Sequence, residues 1–241
     1  MLGTVVNVAA IVAGALLGNL LKGGFPKRYK SVIMQGVSLA VIVIGLSMAL
    51  KTENILVLTL SIVTGGILGE ALKIEERLDS FGRKLERRFG SSIGGSADGS
   101  DASDGLFIKG FVTASLVFCV GAMAIMGPIE SGLTGKHTTL YIKSILDGIT
   151  STVFASSMGI GVVFSALPVF LYQGAITIAA AYIKPFLTDA IITEMTAVGG
   201  LLIFGIGLNM LTDKLHIKIG NLLPGIFIAI FFVVIFGKLS F

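Results

Sequence analysis

The stretch Leu2-Gly-Thr-Val-Val-Asn-Val-Ala-Ala-Ile-Val-Ala-Gly-Ala-Leu-Leu-Gly-Asn-Leu-Leu21 runs for twenty residues without one ionisable side chain. A helix crossing the hydrocarbon layer needs about 20 mostly apolar residues, so this run has the length of one crossing. No basic segment precedes it and no small-residue cleavage site closes it, so it reads as a retained membrane helix rather than a signal peptide.

Runs of the same kind recur at Ser31–Leu50, Asn54–Leu72, Leu106–Met126, Ala190–Leu211 and Ile219–Phe236. A further stretch, Thr139–Ile183, is apolar enough for the membrane but too long for one helix, with a polar first half. It holds either two spans or a re-entrant hairpin plus one span. The expected fold is an all-α polytopic membrane protein of eight transmembrane helices, with seven as the alternative.

Composition agrees. The 241 residues are 54% hydrophobic and only 13% charged, against about a quarter charged in soluble domains. Gly is abundant, at 32 residues, as in membrane helices whose backbones approach closely. Trp is absent, which leaves the interfacial role to Tyr and Phe. The net charge of +4 comes from basic residues clustered in short loops, a topology signal and not a nucleic-acid one. Cys119 is alone, which excludes an intramolecular disulfide, and His137 and His216 have no cysteine partners, so no zinc-type metal site is expected.

Lys22, Lys27, Arg28 and Lys30 follow the first run, and Lys73, Arg77, Arg83, Lys84, Arg87 and Arg88 follow the third. Only Lys51 and Lys136 follow the second and fourth. Basic loops stay cytoplasmic, which sets the N-terminus outside. Within Lys73–Gly90, Ile74, Leu78, Phe81, Leu85 and Phe89 recur every three or four residues among charges. That is the pattern of an amphipathic helix on the inner membrane face. The Gly, Ser, Ala and Asp rich stretch 91–105 reads as a flexible linker. The chain thus divides into residues 1–72 with three helices, 73–90, 91–105, and 106–241 with the remaining helices and a polar segment over 139–161.

The chain also resembles itself. Ala10-Ile-Val-Ala-Gly-Ala-Leu-Leu-Gly-Asn-Leu-Leu-Lys22 matches Ser61-Ile-Val-Thr-Gly-Gly-Ile-Leu-Gly-Glu-Ala-Leu-Lys73 at seven of thirteen positions. A weaker echo joins Ile44–Met48 to Ile206–Met210. Repeated helix pairs are typical of transporters, which place their site at the repeat interface. Gly14 and Gly18 in one copy, and Gly65 and Gly69 in the other, form small-residue faces for helix packing, either within one chain or in a homodimer.

The segment 147–161 holds an acid, five hydroxyls and three glycines within an apolar region. An ionisable group in the membrane is costly and faces a partner or a wet cavity. Lys143 and Asp147 are four apart and share a helix face. Thr150 and Ser151 lie on the face of Asp147, with Thr152 beside them, and Gln173 is a second polar point in the next apolar run. These six are the candidate ion- or substrate-binding residues, and Gly148, Gly159 and Gly161 are candidate points where the helix breaks. Asn7, Gln35 and Asn209 read as structural glue, Glu70 as one half of a surface pair with Lys73, and Glu194 as facing either loop or pore. No phosphate loop, nucleophile elbow or dinucleotide fingerprint occurs, so no enzyme activity and no cofactor are expected.

The start Met1-Leu-Gly-Thr-Val-Val-Asn7 with Gly14 and Gly18, the core Leu146-Asp-Gly-Ile149, the run Gly159-Ile-Gly-Val-Val-Phe-Ser-Ala166 and Tyr172-Gln-Gly174 resemble the YdfK/YqgA-like family of bacterial membrane proteins, DUF554. The resemblance covers essentially the whole chain. It implies a multi-pass protein of the bacterial inner membrane, described at most as a candidate transporter. It implies no substrate, and it places Asp147 and Gln173 in motif positions.

Two functions follow as expectations. One is a transporter or channel for a small ion or solute, with Asp147 attracting a cation or proton. The other is a non-transporting scaffold or sensor that binds lipid or a cytoplasmic partner through 73–90.

Overall fold

The computed structural model describes residues 1–22, 27–78, 80, 84, 101–212 and 215–239, and among them there are helices and no strand. The helices are α1 Leu2–Lys22, α2 Lys27–Ala49, α3 Ile55–Leu72, α4 Asp101–Cys119, α5 Ala122–Thr134, α6 Thr138–Met158, α7 Ala166–Ile178, α8 Ala180–Ile183, α9 Asp189–Leu211, α10 Ile219–Leu222 and α11 Pro224–Leu239. Most of the amphipathic stretch Lys73–Gly90 and of the linker 91–105 lies outside the described residues. Residues 74–78 are helical, and α4 begins at Asp101.

Five helical segments are long and apolar enough to cross a membrane: Leu2–Leu21, Ile55–Leu72, Ile160–Ile178, Asp189–Leu211 and Ile219–Gly237. A sixth forms if Leu106–Cys119 and Ala122–Thr134, bent by 59°, count as one broken span. Here the sequence reading of one straight helix over Leu106–Met126 is corrected. Gly121 sits at φ 122°, a conformation only glycine adopts at ease, and it ends the first helix and redirects the chain into α5. The long stretch Thr139–Ile183 is also divided. Helix α6 ends at Gly159, φ 83°, and a 3₁₀ turn over Ile160–Ser165 leads into α7. Gly148, read as a possible break, lies inside the unbroken α6.

The fold comprises two compact units. The first takes Met1–Val37, Asp79–Cys119 and Met123–Lys184, and the second Ser38–Leu78, Val120–Ala122 and Pro185–Phe241. Each therefore draws helices from both sides of the linker.

In the first unit α1 lies along α6. Its buried residues Thr4, Asn7, Ile11, Gly14 and Gly18 recur at threes and fours and form one seam, while Val5, Leu16, Leu17 and Leu20 face outward. A Cβ on Gly14 would collide with the Gly148 carbonyl oxygen, and one on Gly18 with the Thr152 carbonyl oxygen. The backbones touch without an intervening side-chain layer, the geometry small residues permit in membrane helices. Ser151 Oγ donates across this contact to the Ile11 carbonyl at 3.1 Å.

In the second unit the matching glycines are used the same way. Gly65 packs against the Gly225 backbone and Gly69 against that of Asn221. The ends of α3 are held by side chains of other helices. Asn54 caps its start by accepting from the amides of Leu56 and Val57. Glu194, buried in α9, accepts from the Glu53 and Asn54 amides at 2.7 and 3.0 Å and from Thr52 Oγ1 at 2.7 Å. Glu194 therefore faces the loop before α3. At the other end Glu70 does not pair with Lys73. It accepts from Lys218 Nζ at 2.8 Å and from Asn221 Nδ2 at 2.6 Å, and Lys73 lies 3.8 Å from Glu76 instead. The bond to Glu70 raises the Lys218 pKa. Asn209 closes the loop after α9, exchanging two hydrogen bonds with the Ile217 backbone at 2.7 and 3.0 Å.

Two outcomes follow. Gly14→Leu forces α1 from α6 and lowers the thermal unfolding midpoint in detergent, whereas Gly36→Ala, with open space around it inside α2, does not lower it. Glu194→Ala leaves the Glu53 and Asn54 amides without their acceptor and costs about 1–3 kcal/mol in the same measurement.

Candidate functional site

Helix α6 is polar on the wrong side for a protein in water. Its outward residues include Ile145 and Ile149, 65% and 62% exposed, while its inner face carries Lys143, Ser144, Asp147 and Ser151, all buried. This inverted arrangement suits a helix with lipid outside and polar partners inside. The 21 residues of α6 are long enough to span, and the polar inner face lowers its mean hydropathy below that of the five apolar segments.

Asp147 is the tenth of those 21 residues, at the middle of the helix. Lys143, one turn earlier, reaches both carboxylate oxygens, at 2.8 Å from Oδ1 and 2.7 Å from Oδ2. Both side chains are buried, with the residues 6% exposed. Asn7 on α1 adds a third contact: its Nδ2 donates to Asp147 Oδ2 at 3.1 Å and to Gln173 Oε1 on α7 at 3.3 Å. Asn7 and Gln173 are fully buried. Thr4 and Thr177 extend the set by one turn on each side, with hydroxyls 3.5 Å apart and Thr177 donating to the Gln173 carbonyl. Three helices therefore meet around one buried ion pair.

The hydroxyls behave differently from the sequence expectation. Ser151 and Thr152 both donate to the Gly148 carbonyl, at 2.9 Å, and Ser144 donates to Leu140. Such bonding back to the helix is the ordinary use of Ser and Thr in an apolar setting. Among the described residues no hydrogen bond joins Thr150, Ser151 or Thr152 to the carboxylate; those that the structure brings to it are Lys143 and Asn7, with Gln173 joined through Asn7. Asn7, which the sequence alone presents as structural glue, contacts the carboxylate directly. Its signal was the seam: it lies seven residues before Gly14, on the face that those glycines bring against α6.

Gly159 and Gly161 lie outside the charge cluster. Gly159 ends α6, and Gly161 lets the 3₁₀ turn approach the Phe107 carbonyl on α4. Among the described residues no three His, Cys, Asp or Glu side chains converge as a metal site would require. Two buried atoms of the cluster have no hydrogen-bond partner: Asn7 Oδ1 and Gln173 Nε2.

Comparison with known proteins places the chain in a family. The family described as "Protein of unknown function (DUF554)" matches residues 2–234. The chain is 33% identical over 244 residues to "Uncharacterized membrane protein YdfK" of Bacillus subtilis (strain 168), covering 98% of this chain and 99% of that one. It is 30% identical over 229 residues to "Uncharacterized protein YqgA" of Escherichia coli (strain K12), covering 95% and 94%. No solved structure matches the chain.

Burying one charge without the other separates pairing from packing. Lys143→Met leaves the Asp147 carboxylate uncompensated and costs about 3–5 kcal/mol in detergent unfolding, and the double variant Lys143→Met/Asp147→Leu recovers most of that loss.

Proposed function

Because this chain belongs to the DUF554 family of membrane proteins, and membership assigns no activity, we propose from its buried charges that it is a transporter or channel for a small ion or solute, with Asp147 at its site. One observation carries the reading: an ion pair lies at the middle of a helix whose opposite face presents Ile145 and Ile149. Replacing a buried pair by apolar residues is often neutral or stabilising, so stability alone does not account for such a pair. Charges at membrane depth mark substrate and proton pathways.

The proposed topology has eight spans, with the N-terminus outside and the inner bacterial membrane as location. The spans are the five long apolar segments, the bent pair α4–α5, α2 and the polar α6. Neighbouring ends within each unit support that order. In the first unit Gly3 meets His137 and Leu140. In the second, Glu194 meets residues 52–54 and Asn221 meets Glu70 and Glu75. A repeat of helix pairs is supported by the like use of Gly14 with Gly18 and of Gly65 with Gly69. A homodimer is the simplest assembly by symmetry, and since those four glycines are filled from within the chain, its contact would use another face.

Two measurements test these readings. Purified protein in liposomes carrying ion and pH dyes is compared with Asp147→Asn. Flux in the native protein and its loss in the variant are expected. Equal fluxes would remove Asp147 from the mechanism, and the absence of flux for any ion would leave the scaffold or sensor. Single cysteines at Lys136 and His216, in a Cys119→Ala background, test the span count. Labelling of position 136 from outside and of 216 only from the cytoplasm is expected, and labelling of both from outside would indicate seven spans.

A further inference from the structure

The hydrogen bonds around Asp147 have a fixed direction. An ionised carboxylate only accepts, so Asn7 must turn Nδ2 toward it. The same amide nitrogen then requires Gln173 to present Oε1. The remaining atoms of the two amides, Asn7 Oδ1 and Gln173 Nε2, are left buried without partners. A half-turn of both amides gives the reverse order, in which Gln173 Nε2 donates to Asn7 Oδ1 and that same oxygen faces Asp147 Oδ2. Two facing oxygens repel unless a positive centre sits between them.

We propose that the site exchanges one monovalent cation for the proton of Lys143, the cation taking the place of the ammonium against Asp147 Oδ1, Asp147 Oδ2 and Asn7 Oδ1. This rests on the transport reading and names its substrate class. The Lys143 nitrogen lies 2.8 and 2.7 Å from the two carboxylate oxygens, so a positive centre already occupies the seat. In the exchange the ammonium becomes an amine and releases H⁺, and M⁺ enters beside the carboxylate. One positive and one negative charge are present before and after, which satisfies the electrostatic demand of an apolar surround. A divalent ion fails that balance. A dedicated divalent site also draws on more oxygen ligands than this cluster offers, and no three His, Cys, Asp or Glu side chains converge among the described residues. Among the described residues Lys143 pairs with Asp147 on its own helix, and Cys119 on α4 lies within electrostatic reach of both.

The test uses the full chain in liposomes with a trapped pH dye, clamped membrane potential, and gradients of Li⁺, Na⁺, K⁺ or Cs⁺. A gradient of at least one cation is expected to drive protons the opposite way. Lys143→Arg keeps a cation in the pair but cannot lose its proton, so a variant that elutes as a folded protein should lose exchange entirely. Lys143→Gln should pass the cation without moving protons. Exchange at the native rate in Lys143→Arg overturns the proposal, as does native cation flux with no proton movement, or proton movement that follows an anion gradient. Those results leave a transporter with another mechanism, whereas no flux of any ion removes the transport reading itself.

Discussion

A charge in hydrocarbon must be neutralised within the protein, and here that requirement falls on the Lys143–Asp147 contact. Neither residue tolerates its position alone. Together they still need donors for the remaining carboxylate lone pairs, and Ser144, Ser151 and Thr152 of α6 donate to backbone carbonyls instead. Asn7 supplies one from α1 and is itself tied to Gln173 on α7. The glycine seam exists to make that reach possible. Asn7 has a short side chain, and only backbone contact at Gly14 and Gly18 brings α1 close enough. Sequence pattern, helix packing and polar site are thus one arrangement seen at three scales.

The second unit neutralises its buried acid in another way. Glu194 is as buried as Asp147 but receives two backbone amides and a hydroxyl, all from the chain entering α3. Donors fixed by the fold leave nothing to exchange. Asp147 instead receives side-chain donors, each on its own rotatable bonds. Two buried carboxylates in one chain therefore differ in kind: one holds a helix end, and the other sits among groups able to rearrange.

Much of this was legible in the amino-acid order. The absence of ionisable residues over Leu2–Leu21, and its recurrence, gave the membrane character and most helix bounds to within a few residues. The four-residue spacing of Lys143 and Asp147 set them on one face. What the order could not carry was distance in space. Ser151 and Thr152 are near Asp147 in the chain, yet in the helix both donate to the Gly148 carbonyl rather than to the carboxylate. Asn7 looks isolated because its partners are 140 and 166 residues away. The break at Gly121 was hidden because apolar residues continue through it, and only the positive φ distinguishes it from the glycines inside helices.

The contact between Gly14 and Gly148 has a mechanical consequence. With no side-chain layer to slide or repack, α1 and α6 form a single stiff plank, and Asn7 and Asp147 ride on it together. Helix α7, which carries Gln173, follows a glycine joint and a 3₁₀ turn and is not clamped to the plank in this manner. Asn7 and Asp147 therefore keep their separation by backbone contact, whereas Gln173 reaches the pair from a helix that meets α1 through side chains.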